Sequence, residues 1–223
     1  QVEIGGGVTI TYVDINSLYP FAYLKDMPSG PGRWCSEEWC ATCTESGTLL
    51  PRPTFCEADV GKEAYIGEGG TLTRRATPRS AGKVSRVSEG KVEVEGGEVF
   101  DNPKADFFGF VECTLRVPPD AEIPVLGEHK ETKSGSKLLF DNTRKENYVV
   151  FSEQLRYAME RGVEIEQVHR GLEFDRSPVL STYCKLWKAE KERQDKYKRD
   201  KDPRYNDAMR QIIKLLLNSL YGK

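Results

Sequence analysis

The stretch from Val8 to Pro20 restricts the fold of this chain more than any other. Val8, Ile10 and Tyr12 alternate with Thr9, Thr11 and Val13, and that period of two predicts a half-buried β-strand. Asp14 stands at its C-terminal end. Asn16 and Ser17 suit a helix N-cap, and Ser17-Leu18-Tyr19-Pro20 reads as the first turn of a helix that runs to Leu24. A carboxylate at a strand end, beside the free N–H groups of a helix start, can hold a cation while those amides hold the phosphates that share it. An N-cap aspartate at an ordinary strand-to-helix turn is the plainer alternative.

The far end of the chain predicts a helix from Arg204 to Leu220. Ile212, Ile213, Leu215, Leu216, Leu217 and Leu220 are apolar, which predicts burial over most of its circumference. Arg210, Lys214, Asn218 and Tyr221 are the exceptions, and at about 100° per residue they fall within about 80° of one another. Such a stripe could serve phosphates, a sugar and a base, or could simply be a solvated face.

Both stretches resemble known signatures. Asp14-Ile15-Asn16-Ser17-Leu18-Tyr19-Pro20 matches the D-x-x-S-L-Y-P signature of family B DNA polymerases. Lys214-Leu215-Leu216-Leu217-Asn218-Ser219-Leu220-Tyr221-Gly222 matches their K-x-x-x-N-S-x-Y-G signature. The segment between resembles the protein-primed branch found in phages, linear plasmids and related elements. The resemblance implies an α+β fold: palm over 1–32, a cysteine-containing insertion over 33–105, a region over 106–176 similar to the part specific to protein-primed enzymes, and a helical hairpin of fingers over 177–223.

It also implies template-directed DNA synthesis, with nucleotidyl transfer from a deoxynucleoside triphosphate to a primer hydroxyl by a two-metal mechanism, normally with Mg²⁺. Asp14 then corresponds to a catalytic, metal-binding aspartate, with the Ile15 carbonyl as a second ligand. The backbone of Ser17 and Leu18 corresponds to a triphosphate cradle, and Tyr19 to a side chain lying under the sugar. Lys214 corresponds to a triphosphate ligand, Asn218 and Tyr221 to residues lining the nascent base pair, and Arg210 to a further phosphate contact. The implied partners are DNA template and primer, nucleotides and a terminal priming protein. The implied location is an intracellular site where a virus, plasmid or mobile element replicates its genome.

The chain also departs from that family. The family's second catalytic aspartate lies in a Y-x-D-T-D hairpin that this sequence lacks; Asp200-Lys201-Asp202 reads as a solvated turn. The exonuclease and thumb are missing too, and the chain opens on Gln1. A piece of a longer protein, inactive by itself, is therefore expected. The rival from another class is a non-catalytic nucleic-acid-binding relic of a polymerase.

The remaining sequence is less specific. A length of 223 residues with a net charge of -2 suits a globular protein whose nucleic-acid contacts come from local basic clusters. No apolar run approaches a membrane span. Met27-Pro28-Ser29-Gly30-Pro31-Gly32 predicts a loop, and Gly96-Gly97 between Val94 and Val99 a hairpin. Strands are expected over 107–117, 137–140, 148–151 and 163–174. A helix capped by Ser152 and a long lysine-rich helix from Ser177 to Asp200 complete the reading. Arg74, Arg75, Arg79, Lys83 and Arg86 suggest a flexible basic loop or a nucleic-acid contact. Cys35, Cys40, Cys43 and Cys56 have spacing that suits a zinc site, reduced buried thiols or disulfides.

Overall fold

The computed structural model describes residues 2–4, 8–10, 18–88, 90–132 and 135–220. Asp14, Ile15, Asn16, Ser17 and Tyr221 lie outside the described residues. Strands and helices mix in an α+β fold, and the chain divides into two compact units, Gln1–Met27 with Arg176–Lys223, and Pro28–Asp175. No helix among the described residues is long and apolar enough to cross a membrane.

The first unit holds the two signature stretches. Strands β1 (Val2–Ile4) and β2 (Val8–Ile10) pair antiparallel, with Glu3 opposite Thr9. Helix α1 spans Leu18–Ala22, and two further turn bonds, Leu24 N–H to Phe21 and Lys25 N–H to Ala22, carry the bend to Lys25. From the other end of the chain come α4 (Ser181–Arg199) and α5 (Asp207–Ser219). Their contacts fix an antiparallel hairpin. The Tyr183 hydroxyl near the start of α4 reaches the Leu216 carbonyl near the end of α5 at 3.3 Å. Arg210 meets Asp195 at 2.6 Å, and the Asn206 N–H donates to the Gln194 side chain at 3.0 Å. Asn206 caps α5 by accepting from the Met209 N–H, so the helix starts later than Arg204.

The second unit is built on a four-stranded sheet. Its strands are β3 (Met27–Trp34), β11 (Gly109–Arg116), β14 (Lys145–Phe151) and β15 (Glu164–Ser177), in the order β14-β11-β15-β3. Val111, Cys113 and Leu115 turn to one face, as the period of two requires, and there meet α2 (Glu37–Ser46) and α3 (Ser152–Met159). Both helices bury their apolar sides in this core: Cys40 and Cys43 from α2, Leu155 and Ala158 from α3. Ser152 is not the cap of α3. It is the first helical residue, fully buried, and its hydroxyl accepts from the Gly109 N–H at 3.3 Å.

The loop expected over 27–32 is instead strand β3. Proline removes a ladder donor, yet β3 is the edge of the sheet, where that donor has no strand to serve. Gly32 is there for space: a Cβ would lie 2.9 Å from a Leu172 methyl and 3.0 Å from the Phe174 ring.

Between β3 and β11 the insertion is more regular than its composition suggests. Strands β5 (Glu63–Ile66), β6 (Leu72–Thr73), β7 (Ser80–Ser88), β8 (Lys91–Val94) and β9 (Val99–Asp101) form a sheet in the order β6-β5-β7-β8-β9. It closes over Phe55, Ala64, Leu72, Val84, Val92 and Val94. The hairpin at Gly96-Gly97 is present between β8 and β9. A short pair, β4 (Arg52–Pro53) with β10 (Lys104–Ala105), brackets the insert. Asn102 closes it, its buried amide exchanging bonds of 2.9 and 3.0 Å with the Phe55 backbone. Strands β12 (Gly127–Thr132) and β13 (Gly135–Phe140) make a separate ribbon.

Candidate nucleotide-binding site

Within the first unit α1 packs against α5. On α1, Pro20 is buried while Leu18 and Tyr19 stay exposed, at 48% and 44%. A proline in the first turn loses no helical hydrogen bond, so the helix can turn it inward. The Tyr19 ring lies 6.5 Å from that of Tyr23, one turn on.

On α5, only Ile213 and Leu217 are buried. Ile212 and Leu215 are exposed, at 52% and 67%, so the expectation of a helix buried around most of its circumference is corrected. A two-helix hairpin covers one stripe of each helix, and α5 has more apolar residues than that stripe can take. The polar stripe itself is formed in part. Lys214 and Asn218 sit one turn apart and exposed, and among the described residues neither has an ion-pair or side-chain hydrogen-bond partner. Arg210, one turn earlier, is half-buried and held by Asp195. Its charge is answered inside the hairpin, whereas that of Lys214 is not. Chemically, α5 presents an ammonium and an amide in line, a pairing that suits an anionic group followed by a polar ring edge.

The candidate zinc ligands Cys35, Cys40, Cys43 and Cys56 are corrected. All four are free thiols, and among the described residues no group of three or more His, Cys, Asp or Glu side chains could hold a metal ion. Helix α2 explains this. It turns Cys40 and Cys43 into the large core, while Cys56 sits beside the small sheet, its Sγ 3.4 Å from Asp59. Burial pushes the Cys35 thiol up to about 12 and raises those of Cys40 and Cys43. The signals of α2 were in the sequence. Ser36 caps it, Glu37 and Glu38 fill its first turn, and Gly47 ends it in the left-handed region at φ 64°.

The basic run of the insertion also divides. Arg74 is structural: it donates to Asp59 at 3.3 Å and Asp175 at 2.6 Å. Those carboxylates belong to a network with Arg33, Arg52 and Glu173, in which Glu173 accepts from Arg33 at 2.8 Å and Arg52 at 3.2 Å. Desolvation raises the Glu173 and Asp175 carboxyls, against the pull of Arg33. Lys83 and Arg86 lie on β7 and are exposed, so this stretch is strand rather than loop. Asp200-Lys201-Asp202 is the expected turn. Arg204 grips Asp202 with two bonds of 2.8 and 3.0 Å and holds its carboxyl down to about 2.

A protein of Neurospora intermedia described as a probable DNA polymerase is 27% identical over 219 residues, which covers 97% of this chain. The chain spans 16% of the length of that relative. No solved structure matches. The family model for DNA polymerase type B, organellar and viral, matches residues 83–223, which include α4, α5 and the Lys214–Gly222 signature. With more than half of its length so matched, the chain belongs to the organellar and viral type B DNA polymerases.

Proposed function

We propose that this chain supplies the nucleotide-handling palm and fingers of a template-directed, protein-primed DNA polymerase. The observation that carries the reading is the packing of α1 on α5, which joins the helix of the S-L-Y-P signature to the helix bearing Lys214 and Asn218. In this reading residues 1–32 belong to the palm and 177–223 to the fingers. Residues 33–105 are an insertion, and 106–176 are the part specific to protein-primed enzymes. The substrates are a primer–template and deoxynucleoside triphosphates, and the primer hydroxyl is offered by a terminal protein.

Each side chain then has a physical task. Lys214 neutralises the triphosphate through a charge-assisted bond, free to do so because no carboxylate among the described residues competes for it. Asn218 and Tyr221 shape the edge of the nascent pair. Arg210 remains a candidate for phosphate, at the cost of its bond to Asp195. Tyr19, exposed on α1, lies under the sugar and leaves no room for a 2′-hydroxyl. Backbone N–H groups at Ser17 and Leu18 cradle the phosphates. Asp14 and the Ile15 carbonyl would hold Mg²⁺, which when bound activates the hydroxyl and balances phosphate charge.

The test is primer extension by the whole polymerase. Asp14→Ala should abolish it. Lys214→Ala should raise the nucleotide KM about ten- to a hundredfold, the equivalent of roughly 1.5–3 kcal/mol, with DNA affinity in the absence of nucleotide unchanged. Extension that survives Asp14→Ala overturns the reading. Equal loss of DNA affinity in Lys214→Ala makes Lys214 a template contact instead.

A further inference from the structure

The outer side of α4 carries a row of positive charge that only one of the helix's own acids faces. Lys185, Lys188, Lys196 and Arg199 are all exposed. At about 100° and 1.5 Å per residue they fall within about 80° of one another along about 21 Å of axis. Among the described residues Lys185, Lys188 and Lys196 have no ion-pair partner, and Arg199 has only its exposed neighbour Asp200 at 3.7 Å. Two of the three acids of α4 are engaged elsewhere. Glu190 takes Arg193 at 2.8 Å, and Asp195 takes Arg210. Glu192 alone stands on the basic face, between Lys188 and Lys196.

At the hairpin tip, Lys198 and Arg204 are engaged within the hairpin. Lys198 lies 5.7 Å from the Tyr205 ring, and Arg204 is held by Asp202 and stacks 4.6 Å from the Tyr197 ring. Free charge lies along the shaft instead. Its form identifies the ligand. Lysine is a hydrated point charge on a flexible stem, without the fork that fits one anion bidentately. A line of such charges over several turns, on a chain whose net charge is -2, suits a polymer of repeating phosphates and not a single small anion.

We infer that this face of α4 grips the phosphodiester backbone of a nucleic acid, separately from the nucleotide contacts of α5. The inference rests on the polymerase reading, and it adds a second, sequence-independent contact to it. Glu192 tempers that contact by standing among the cations.

The test uses the whole polymerase and fluorescence anisotropy with duplex and single-stranded DNA probes across a salt series. In K185Q/K188Q/K196Q the slope of log affinity against log salt should fall by about 2–3, at roughly 0.9 per phosphate for duplex and 0.7 for single strands. The probe with the larger fall is the strand that α4 holds. Glu192→Gln should bind more tightly than the parent, a gain that misfolding cannot imitate. Unchanged slopes in the triple variant, or unchanged or weaker binding in Glu192→Gln, overturn the inference. A parent protein that neither binds DNA nor extends primers would instead overturn the polymerase reading, which is a different result.

Discussion

Lys145 carries a fully buried charge, and its partner Asp141 is the place to press. The Lys145 side chain has no exposed area, and its ammonium donates to Asp141 at 2.6 Å, to Glu128 at 3.3 Å and to Thr143 at 3.2 Å. Removing a partner from a buried pair typically costs about 3–5 kcal/mol, because the charge left behind is uncompensated. Asp141→Ala should fall at the low end, about 3 kcal/mol, since Glu128 and Thr143 remain and Asp141 is itself 30% exposed. For a chain of this size that is a loss of about 6–12 °C in melting temperature. Lys145→Met should cost far less: it removes the buried charge itself and leaves Asp141 with Lys130 at 2.6 Å. Hydrogen bonds from Lys130, Lys145 and Thr143 hold the Asp141 carboxyl well below the usual carboxylate range. A depressed carboxyl binds fewer protons folded than unfolded, so its contribution is present above the ordinary value and declines as pH falls below it. The asymmetry between the variants should therefore narrow in acid. Thermal denaturation with hydrogen exchange on the β12–β13 ribbon reads the effect locally. A melting temperature for Asp141→Ala within about 2 °C of the parent, or a Lys145→Met as costly as Asp141→Ala, would refute the reasoning.

Two further outcomes are expected. Tyr19→Val in the whole polymerase should raise ribonucleotide incorporation relative to deoxyribonucleotide by opening space beneath the sugar; unchanged discrimination in single-nucleotide assays removes Tyr19 from that task. Arg74→Ala should destabilise the insertion by about 3 kcal/mol, because Asp59, whose side chain is 2% exposed, loses a cation; denaturant titration that finds less than about 1 kcal/mol would show that Arg33 and Lys62 suffice.

Much of the first unit was legible because its signals are local. The run of apolar residues on α5 and the lysine-rich run of α4 mark helices without help from the rest of the chain. The misses share a cause. Whether Pro28 and Pro31 break a strand depends on whether β3 is an edge, and strand order is a tertiary fact. Whether Leu215 is buried depends on how many neighbours α5 has, which its own periodicity does not state. Cysteine spacing leaves zinc, buried thiols and disulfides open, and only the placement of α2 shows Cys40 and Cys43 turned into the large core. The partner of Arg210 lies on the other arm of the hairpin, so the stripe on α5 read as equivalent cations when one of them was already held.

The α4–α5 hairpin is fastened near its open end by Tyr183 and Leu216, and toward its tip by Asp195 with Arg210 and Gln194 with Asn206. Three clasps along one seam make a stiff lever. Neither arm can slide past the other without breaking the Asp195–Arg210 clasp, so a swing that carries Lys214 toward a ligand carries Lys196 through the same arc. Anything held along the outside of the shaft would then add drag to that swing, and anything captured on its inner side would tighten or loosen the hold on the outside.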